Sequence, residues 1–511
     1  MTVARTWAVA LTGLVGDLVE VEADLSSQTP EFHVIGLADK AIGEAHRRVL
    51  NACANSDLPL PRRRLTVNLS PAALPKSGSG FDLAIAIASL ATERQLDAAS
   101  LAATVHLGEL GLDGRLRPVP GVLPAVLAAV RAGFRRVVVP YANRAEAELV
   151  AGVHVCGAIG LRDVVRHHGL DVEDARLEPV PAPAAKAAPG SSEPLELADV
   201  VGQREAVEAM IVAAAGGHHV LMSGPPGAGK TMLAQRLPGI LPPLDDEAAL
   251  QVASIRSLAG DAVTALPRTP PFVAPHHGAS LAALVGGGSR QVRPGAIARA
   301  SGGVLFLDEA GEYGAHTLDA LRQPLEAGRI QIHRAGFSAT FPARFQLVLA
   351  TNPCPCGYYG IRGGTCTCPP IAIRRYLGRL SGPLLDRIDI ELAVQRVSVA
   401  ELQGAGPSPV GTARASAQVA EARARAAHRL RETPWRTNSE VSGTWLRQGP
   451  LAPAPAIRRP LDAALQRGSL TLRGFDRVLR VAWSIADLEG RDRLELADVG
   501  RALAFKRRAL A

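Results

Sequence analysis

The residues best suited to chemistry in this 511-residue chain begin with Gly224-Pro225-Pro226-Gly227-Ala228-Gly229-Lys230-Thr231. The apolar run His219–Met222 leads into this loop, and an alanine- and leucine-containing segment follows it. Strand, glycine-rich loop and helix in that order make a phosphate cradle. Glycines reach positive φ, so successive N–H groups turn inward on anionic oxygens, and the helix that follows presents unpaired N–H groups and its positive dipole end. In such a loop Lys230 reaches the β- and γ-phosphates and the Thr231 hydroxyl holds Mg²⁺. Asp308 and Glu309 close a second apolar run, Val304-Leu-Phe-Leu307. Asp308 is placed to orient Mg²⁺ through its water shell, and Glu309 to polarise the water that attacks the γ-phosphate. Asn352 ends a third apolar run, Phe345–Thr351, where an amide would sense the γ-phosphate. ATP and Mg²⁺ are the cofactors that these residues call for.

Two arginines complete the set. Arg387, in Ser381–Asp389, fits a finger that reaches the ATP of a neighbouring copy, because charge developing on phosphate needs a mobile cation. A finger given in trans requires more than one protomer. Arg473, in Ser469–Phe475 at the start of a helix, fits a nucleotide sensor on a lid. Ordinary salt bridges are the alternative for both.

Cys354-Pro-Cys356 and Cys366-Thr-Cys368 make a C-x-C pair of knuckles with Tyr358, Tyr359 and glycines between them. Four thiolates from two short knuckles suit tetrahedral Zn²⁺, although the spacing departs from the commoner C-x₂-C. Free thiols or a redox pair are the alternative. With only Cys53 and Cys156 elsewhere, the pattern is unlike a secreted disulfide scaffold and points to a reducing, cytoplasmic setting. The apolar stretch Trp7–Gly16 is followed at once by Asp17, Glu20, Glu22 and Asp24, so it reads as strand and not as a signal segment. No run of 18 uncharged apolar residues occurs, and no membrane span is expected. A net charge of +8 and a pI near 9.5 permit a polyanionic partner without requiring one.

The elements that must position these groups imply an α/β chain in three parts. Residues 1–172 read as a compact α+β unit, with the alternating strand Val19–Ala23, helical spacing over 40–54, and the strand Leu65–Leu69. Residues 173–195 are a Pro/Ala-rich linker. Residues 196–396 alternate strand and helix as a phosphate-loop core requires, and 397–511 form a helical lid. The lid carries an arginine-rich helix over 413–431 and a basic end at Lys506-Arg-Arg508.

The first part resembles a Lon-protease-like domain through Leu74-Pro-Lys-Ser-Gly-Ser-Gly80 and Leu127–Phe134. A functional site of that kind needs a serine with a lysine base. The expected lysine would fall in Gly121–Val126, which has none, and Ser79 stands one place off. The expectation is a borrowed fold without the dyad. The whole chain resembles the YifB/ComM family, in the magnesium-chelatase-like branch of AAA+ ATPases. The resemblance is carried by Pro242-Pro-Leu, Ala274-Pro-His-His-Gly278, Leu284-Val-Gly-Gly-Gly288, Arg293-Pro-Gly295, Asn352-Pro-Cys-Pro-Cys-Gly357 and Leu377–Asp389. It implies a hexameric ATP-hydrolysing motor linked to DNA branch migration in natural transformation.

DNA contact would come from loops. Glu326–Phe341 reads as a hairpin around Arg334-Ala-Gly336, offering Arg329, His333 and Arg334 to phosphates without reading sequence. Val285–Pro294 is a second basic loop. Subunit packing is the alternative for both. Two rival functions are a chelatase motor that remodels a protein partner and an ATP-dependent protease.

Overall fold

Val220–Ser223, Val304–Leu307 and Gln346–Thr351 are buried at every residue, as strands covered on both faces must be. In the computed structural model, which describes residues 3–36, 40–76, 78–173, 177–182, 195–288, 292–334, 337–361, 364–397 and 410–506, they form the middle of a five-stranded sheet. The spatial order is Phe272–Val273, Val304–Leu307, Gln346–Thr351, Val220–Ser223, Ile390–Ala393, and every neighbouring pair is parallel. Alternate side chains serve opposite layers, as the pleat requires. Val220, Met222, Phe306, Val348 and Ala350 pack with the helices Arg204–Gly216 and Lys230–Ile240. Leu221, Leu305, Leu307, Leu347 and Leu349 pack instead on Ala296–Arg299 and the hairpin 329–342.

The N-terminal part is a seven-stranded mixed sheet, ordered Glu31–Ile35, Arg64–Ser70, Val15–Ser26, Ala4–Thr12, Thr104–His106, Arg136–Pro140, His154–Ala158. One face is covered by Lys40–Asn55 and Asp82–Ala91, the other by Val122–Arg131. This last cluster continues into Ala253 and Val263 of the central part. There Gly121 N–H donates to the Ser257 carbonyl (3.1 Å). The two sheets therefore share a core along the helix Asp246–Ala259. The Ser79 hydroxyl is bonded to Glu109, and the buried Lys76 ammonium is occupied by the Pro71 and Leu74 carbonyls (2.5 and 3.1 Å). The linker residues 183–194 lie outside the described residues.

The C-terminal part is helical: Thr412–Arg429, Gly443–Gln448, Pro455–Gln466, Leu472–Leu488 and Leu496–Ala504. Its core is continuous with the helix side of the five-stranded sheet through Ala415, Val419, Val478, Leu479 and Ile485. The mixed α/β architecture expected from the sequence is the one observed. No helix among the described residues is long and apolar enough to cross a membrane.

Two fully buried histidines tie the N-terminal sheet to its last helix. His106 Nε2 lies 2.8 Å from His168 Nε2. The outer ring nitrogens meet Thr6 (2.7 Å) and Ser100 (2.9 Å). Burial pushes His168 down to about 4 and His106 well below its ordinary range. A histidine depressed in the folded state stabilises fully above its unfolded pKa of about 6.5, and the contribution is lost as pH falls below that value. Stability of the N-terminal unit should therefore fall between pH 6.5 and 4, by on the order of 3 kcal/mol for His168. Hydrogen exchange over 98–110 at pH 7.5 and 5.0 should show it, and equal protection at the two pH values would refute the assignment.

Candidate nucleotide site and cysteine centre

The site is built at the carboxyl ends of the parallel strands, where open α/β sheets bind ligands. Val220–Ser223 delivers the glycine loop, with Gly227 and Gly229 at φ 76° and 88°, a region open to glycine at little cost. Lys230 opens the following helix and is largely buried. Its Nζ donates to the Gly224 and Pro225 carbonyls (2.6 and 3.0 Å) and to Asn352 Oδ1 (3.0 Å). Burial lowers its pKa, while Asp308 and Glu309 pull it back up. Thr231 Oγ1 donates to Asp308 Oδ2 (2.6 Å). The structure thus pairs Lys230 with Asn352 and its neighbour Thr231 with Asp308 at the start of one helix, with Glu309 next in the chain.

Glu309 itself sits at φ 50°, which costs a non-glycine residue about 1 kcal/mol. Its carboxylate is 2.9 Å from His277 Nδ1. His277 belongs to the segment leaving the edge strand Phe272–Val273, and the Tyr313 hydroxyl holds that segment through the Pro275 carbonyl (2.6 Å). At the other edge, Arg396 follows Ile390–Ala393 and donates to the Pro226 carbonyl from Nε and Nη2 (3.1 and 3.0 Å). The sequence alone assigns no role to His277 or Arg396, although His277 lies in Ala274–Gly278. Both stand just beyond edge strands of this sheet, two and four residues long. If His277 orients Glu309, His277→Ala should lower the ATPase turnover about five- to tenfold with ATP affinity nearly unchanged. Steady-state kinetics set against nucleotide titration would check it, and unaltered turnover would count against the role.

Arg387 and Arg473 are not part of this group. They line a cavity of about 850 Å³ with His219, Gln346 and Arg477, and His219 and Gln346 stand at the starting ends of the same strands. Arg387 keeps 14% of its side-chain surface and is bonded to Glu326 and the Pro383 carbonyl. Arg473 is 74% exposed, 3.4 Å from Asp386. Beneath them Arg477 donates to the Arg387 carbonyl (2.9 Å) and pairs with Asp389 (2.5 Å). Burial opposes the Asp389 charge, yet Arg477 and then His218 hold its carboxyl well below the usual range. The segment that carries Arg387 is therefore fastened to the helix Leu472–Leu488.

The four cysteine sulfurs converge. Cys354 Sγ is 3.3 Å from Cys356 and 3.8 Å from Cys366, and Cys356 is 3.6 Å from Cys366. With Cys368 included, all four lie within 4.8 Å of one another. A tetrahedron of sulfurs about 2.3 Å from Zn²⁺ has edges of about 3.8 Å, so the donor set fits a zinc ion. Hydrogen bonding from the Tyr358 backbone brings Cys356 down to about 6, whereas Cys366 and Cys368, despite backbone hydrogen bonds that favour their thiolates, are pushed up by burial and the neighbouring sulfurs, so thiolate character in the metal-free set sits on Cys356.

In the hairpin Arg329–Arg334 with Phe337–Pro342, Ile330, Ile332, Ala339 and Phe341 are buried, while Arg329, Gln331 and His333 are exposed. One face is anchored and a polar row faces out. Leu284, just before the second basic loop, and Val292, within it, share the hairpin's core cluster, so the two candidate DNA segments are neighbours. The Arg334 side chain, Arg290, Arg507 and Arg508 lie outside the described residues.

A parallel sheet with this loop and acid pair, beside a helical C-terminal part, defines a P-loop core, and sequence comparison gives the class its name. Models of the magnesium chelatase subunit ChlI match residues 196–402 and 21–143, and a model of the ChlI C-terminal part matches 410–506. The chain belongs to the magnesium chelatase ChlI family of AAA+ ATPases, close to YifB and ComM over its full length. Rv2897c of Mycobacterium tuberculosis is 48% identical over 99% of both chains. Competence protein ComM of Haemophilus influenzae is 41% identical over 99% of this chain and 98% of its own. YifB of Salmonella typhimurium is 38% identical over 99% and 97%. Membership of an AAA+ ATPase family implies ATP and Mg²⁺ as cofactors.

Proposed function

We propose that this chain is an ATP-hydrolysing ring motor that moves DNA, acting as a branch-migration helicase or translocase in recombination or natural transformation. The observation that carries the ring is the placement of Arg387 and Arg473 at the opposite ends of the strands from Lys230. Cations there serve a phosphate best when the phosphate belongs to the next copy, and head-to-tail repetition of such a contact closes into a ring. In this reading Lys230 and the loop amides hold the phosphates, and Thr231 and Asp308 hold Mg²⁺. Glu309 activates water, Asn352 senses the γ-phosphate, and Arg387 with Arg473 completes the neighbour's site. Six copies, and a DNA path past Arg329, His333 and Arg334, extend the same reading. DNA as the cargo is supported by the exposed row on the hairpin, the positive net charge and the similarity to a competence protein.

A strand-displacement and branch-migration assay with ATP tests the reading. DNA should stimulate ATP hydrolysis, and Arg329→Ala with His333→Ala should remove that stimulation while leaving basal hydrolysis. If DNA neither binds nor stimulates, the helicase reading fails. Remodelling of a protein partner, as in a chelatase motor, then takes its place.

A further inference from the structure

We propose that a metal ion held by the cysteine knuckles braces the phosphate loop, so that metal occupancy and nucleotide affinity are coupled through Gly357, Pro226, Arg396 and Tyr358. The proposal rests on the reading of Cys354, Cys356, Cys366 and Cys368 as a zinc site.

The connection is short and closed on itself. Asn352, which accepts from Lys230 (3.0 Å), is two residues from Cys354. The turn after it is set by Gly357 N–H donating to the Cys354 carbonyl (3.0 Å) and by Tyr359 N–H donating to Cys354 Sγ (3.3 Å). Gly357 is at φ +83°, and a Cβ there would stand 2.4 Å from Pro226 Cδ. The cysteine loop therefore bears on the phosphate loop at backbone distance. Pro226 is held from its other side by both Arg396 contacts. Arg396 in turn lies over the Tyr358 ring, 5.5 Å from its centroid, with Nη2 3.5 Å from the Tyr358 hydroxyl. Knuckle, Gly357, Pro226, Arg396 and Tyr358 make a circuit, and Pro226 directly precedes Gly227–Gly229, whose N–H groups must converge on the phosphates.

Thiol contacts alone hold the knuckles weakly, whereas four metal–sulfur bonds would fix the position of Gly357. Fixing it restricts Pro226 and pre-organises the loop amides, which lowers the ordering cost that ATP binding would otherwise bear. Coupling of this kind is reciprocal, so nucleotide must tighten the metal by the factor by which metal tightens nucleotide.

The experiment uses the full chain, with and without one equivalent of Zn²⁺. Two readouts are needed: the Kd of a fluorescent ATP analogue, and the Kd of zinc by equilibrium competition with a chromogenic chelator, with and without a non-hydrolysable ATP analogue. Removing zinc should weaken nucleotide binding about tenfold, and the analogue should lower the zinc Kd by the same factor, within the usual range of such couplings. Cys366→Ser should behave as the zinc-free protein. Because that variant can also disturb folding, Arg396→Ala provides the second arm. It should keep one zinc and lose most of the dependence of nucleotide affinity on zinc. If zinc binds stoichiometrically and nucleotide affinity is the same with and without it, the coupling is refuted while the metal reading stands. If less than half an equivalent of metal binds to the reduced thiols, both fall.

Discussion

Arg387→Ala is expected to lower ATP turnover by about 10³-fold while ATP affinity changes by no more than about threefold. The separation of effects follows from where the residue lies. Arg387 shares no contact with Lys230, Thr231 or Asp308, and its segment is fastened to the lid through Arg477. Its loss leaves the phosphate cradle of its own chain intact. What it would supply is charge stabilisation in the transition state at a neighbouring site, which moves turnover and not ground-state binding. Nucleotide titration set beside steady-state hydrolysis reads the two quantities independently. A large loss of ATP affinity would place Arg387 in a structural role, and unaltered turnover would make its bond to Glu326 an ordinary salt bridge.

The second large effect separates binding from cleavage within the loop group. Lys230→Ala should weaken nucleotide binding by about 10²-fold, since a buried ammonium bonded to Gly224, Pro225 and Asn352 is the cation nearest the phosphates. Glu309→Gln should bind ATP normally and hydrolyse it about 10³-fold more slowly, because the amide keeps the shape and hydrogen-bonding reach of the carboxylate but cannot take a proton from water. Rapid-mix product measurement on the ATP-bound variant would distinguish slow cleavage from slow release. Normal turnover in either variant would overturn the assignment.

How far the sequence reaches differs residue by residue. Lys230 is legible through the Gly224–Thr231 loop pattern that follows an apolar run, and Asp308 and Asn352 because each closes an apolar run long enough to be recognised as a strand; parallel strands bring their carboxyl ends together. His277 and Arg396 also follow strands of this sheet, but Phe272–Val273 is two residues long and Ile390–Ala393 four. Such edge strands carry little periodic signal, so nothing local marks the residues beyond them. The relation of Arg387 to Arg473 was hidden for another reason. It depends on a lid helix docking 87 residues away in sequence, a tertiary contact with no local signature. The cysteine spacing shows that four sulfurs can meet. It does not show that Gly357 lies against Pro226, a contact fixed only once the loop and the sheet are both folded.

The composite site is tested most directly by mixing Lys230→Ala with Arg387→Ala. Each variant alone should be nearly inactive as an ATPase. In an equimolar mixture that exchanges subunits, roughly a quarter of random interfaces pair an intact loop with an intact finger, and hydrolysis should recover to a comparable fraction of wild type. Activity no greater than the sum of the two separate variants, in a mixture shown to co-assemble, would contradict a site shared between copies.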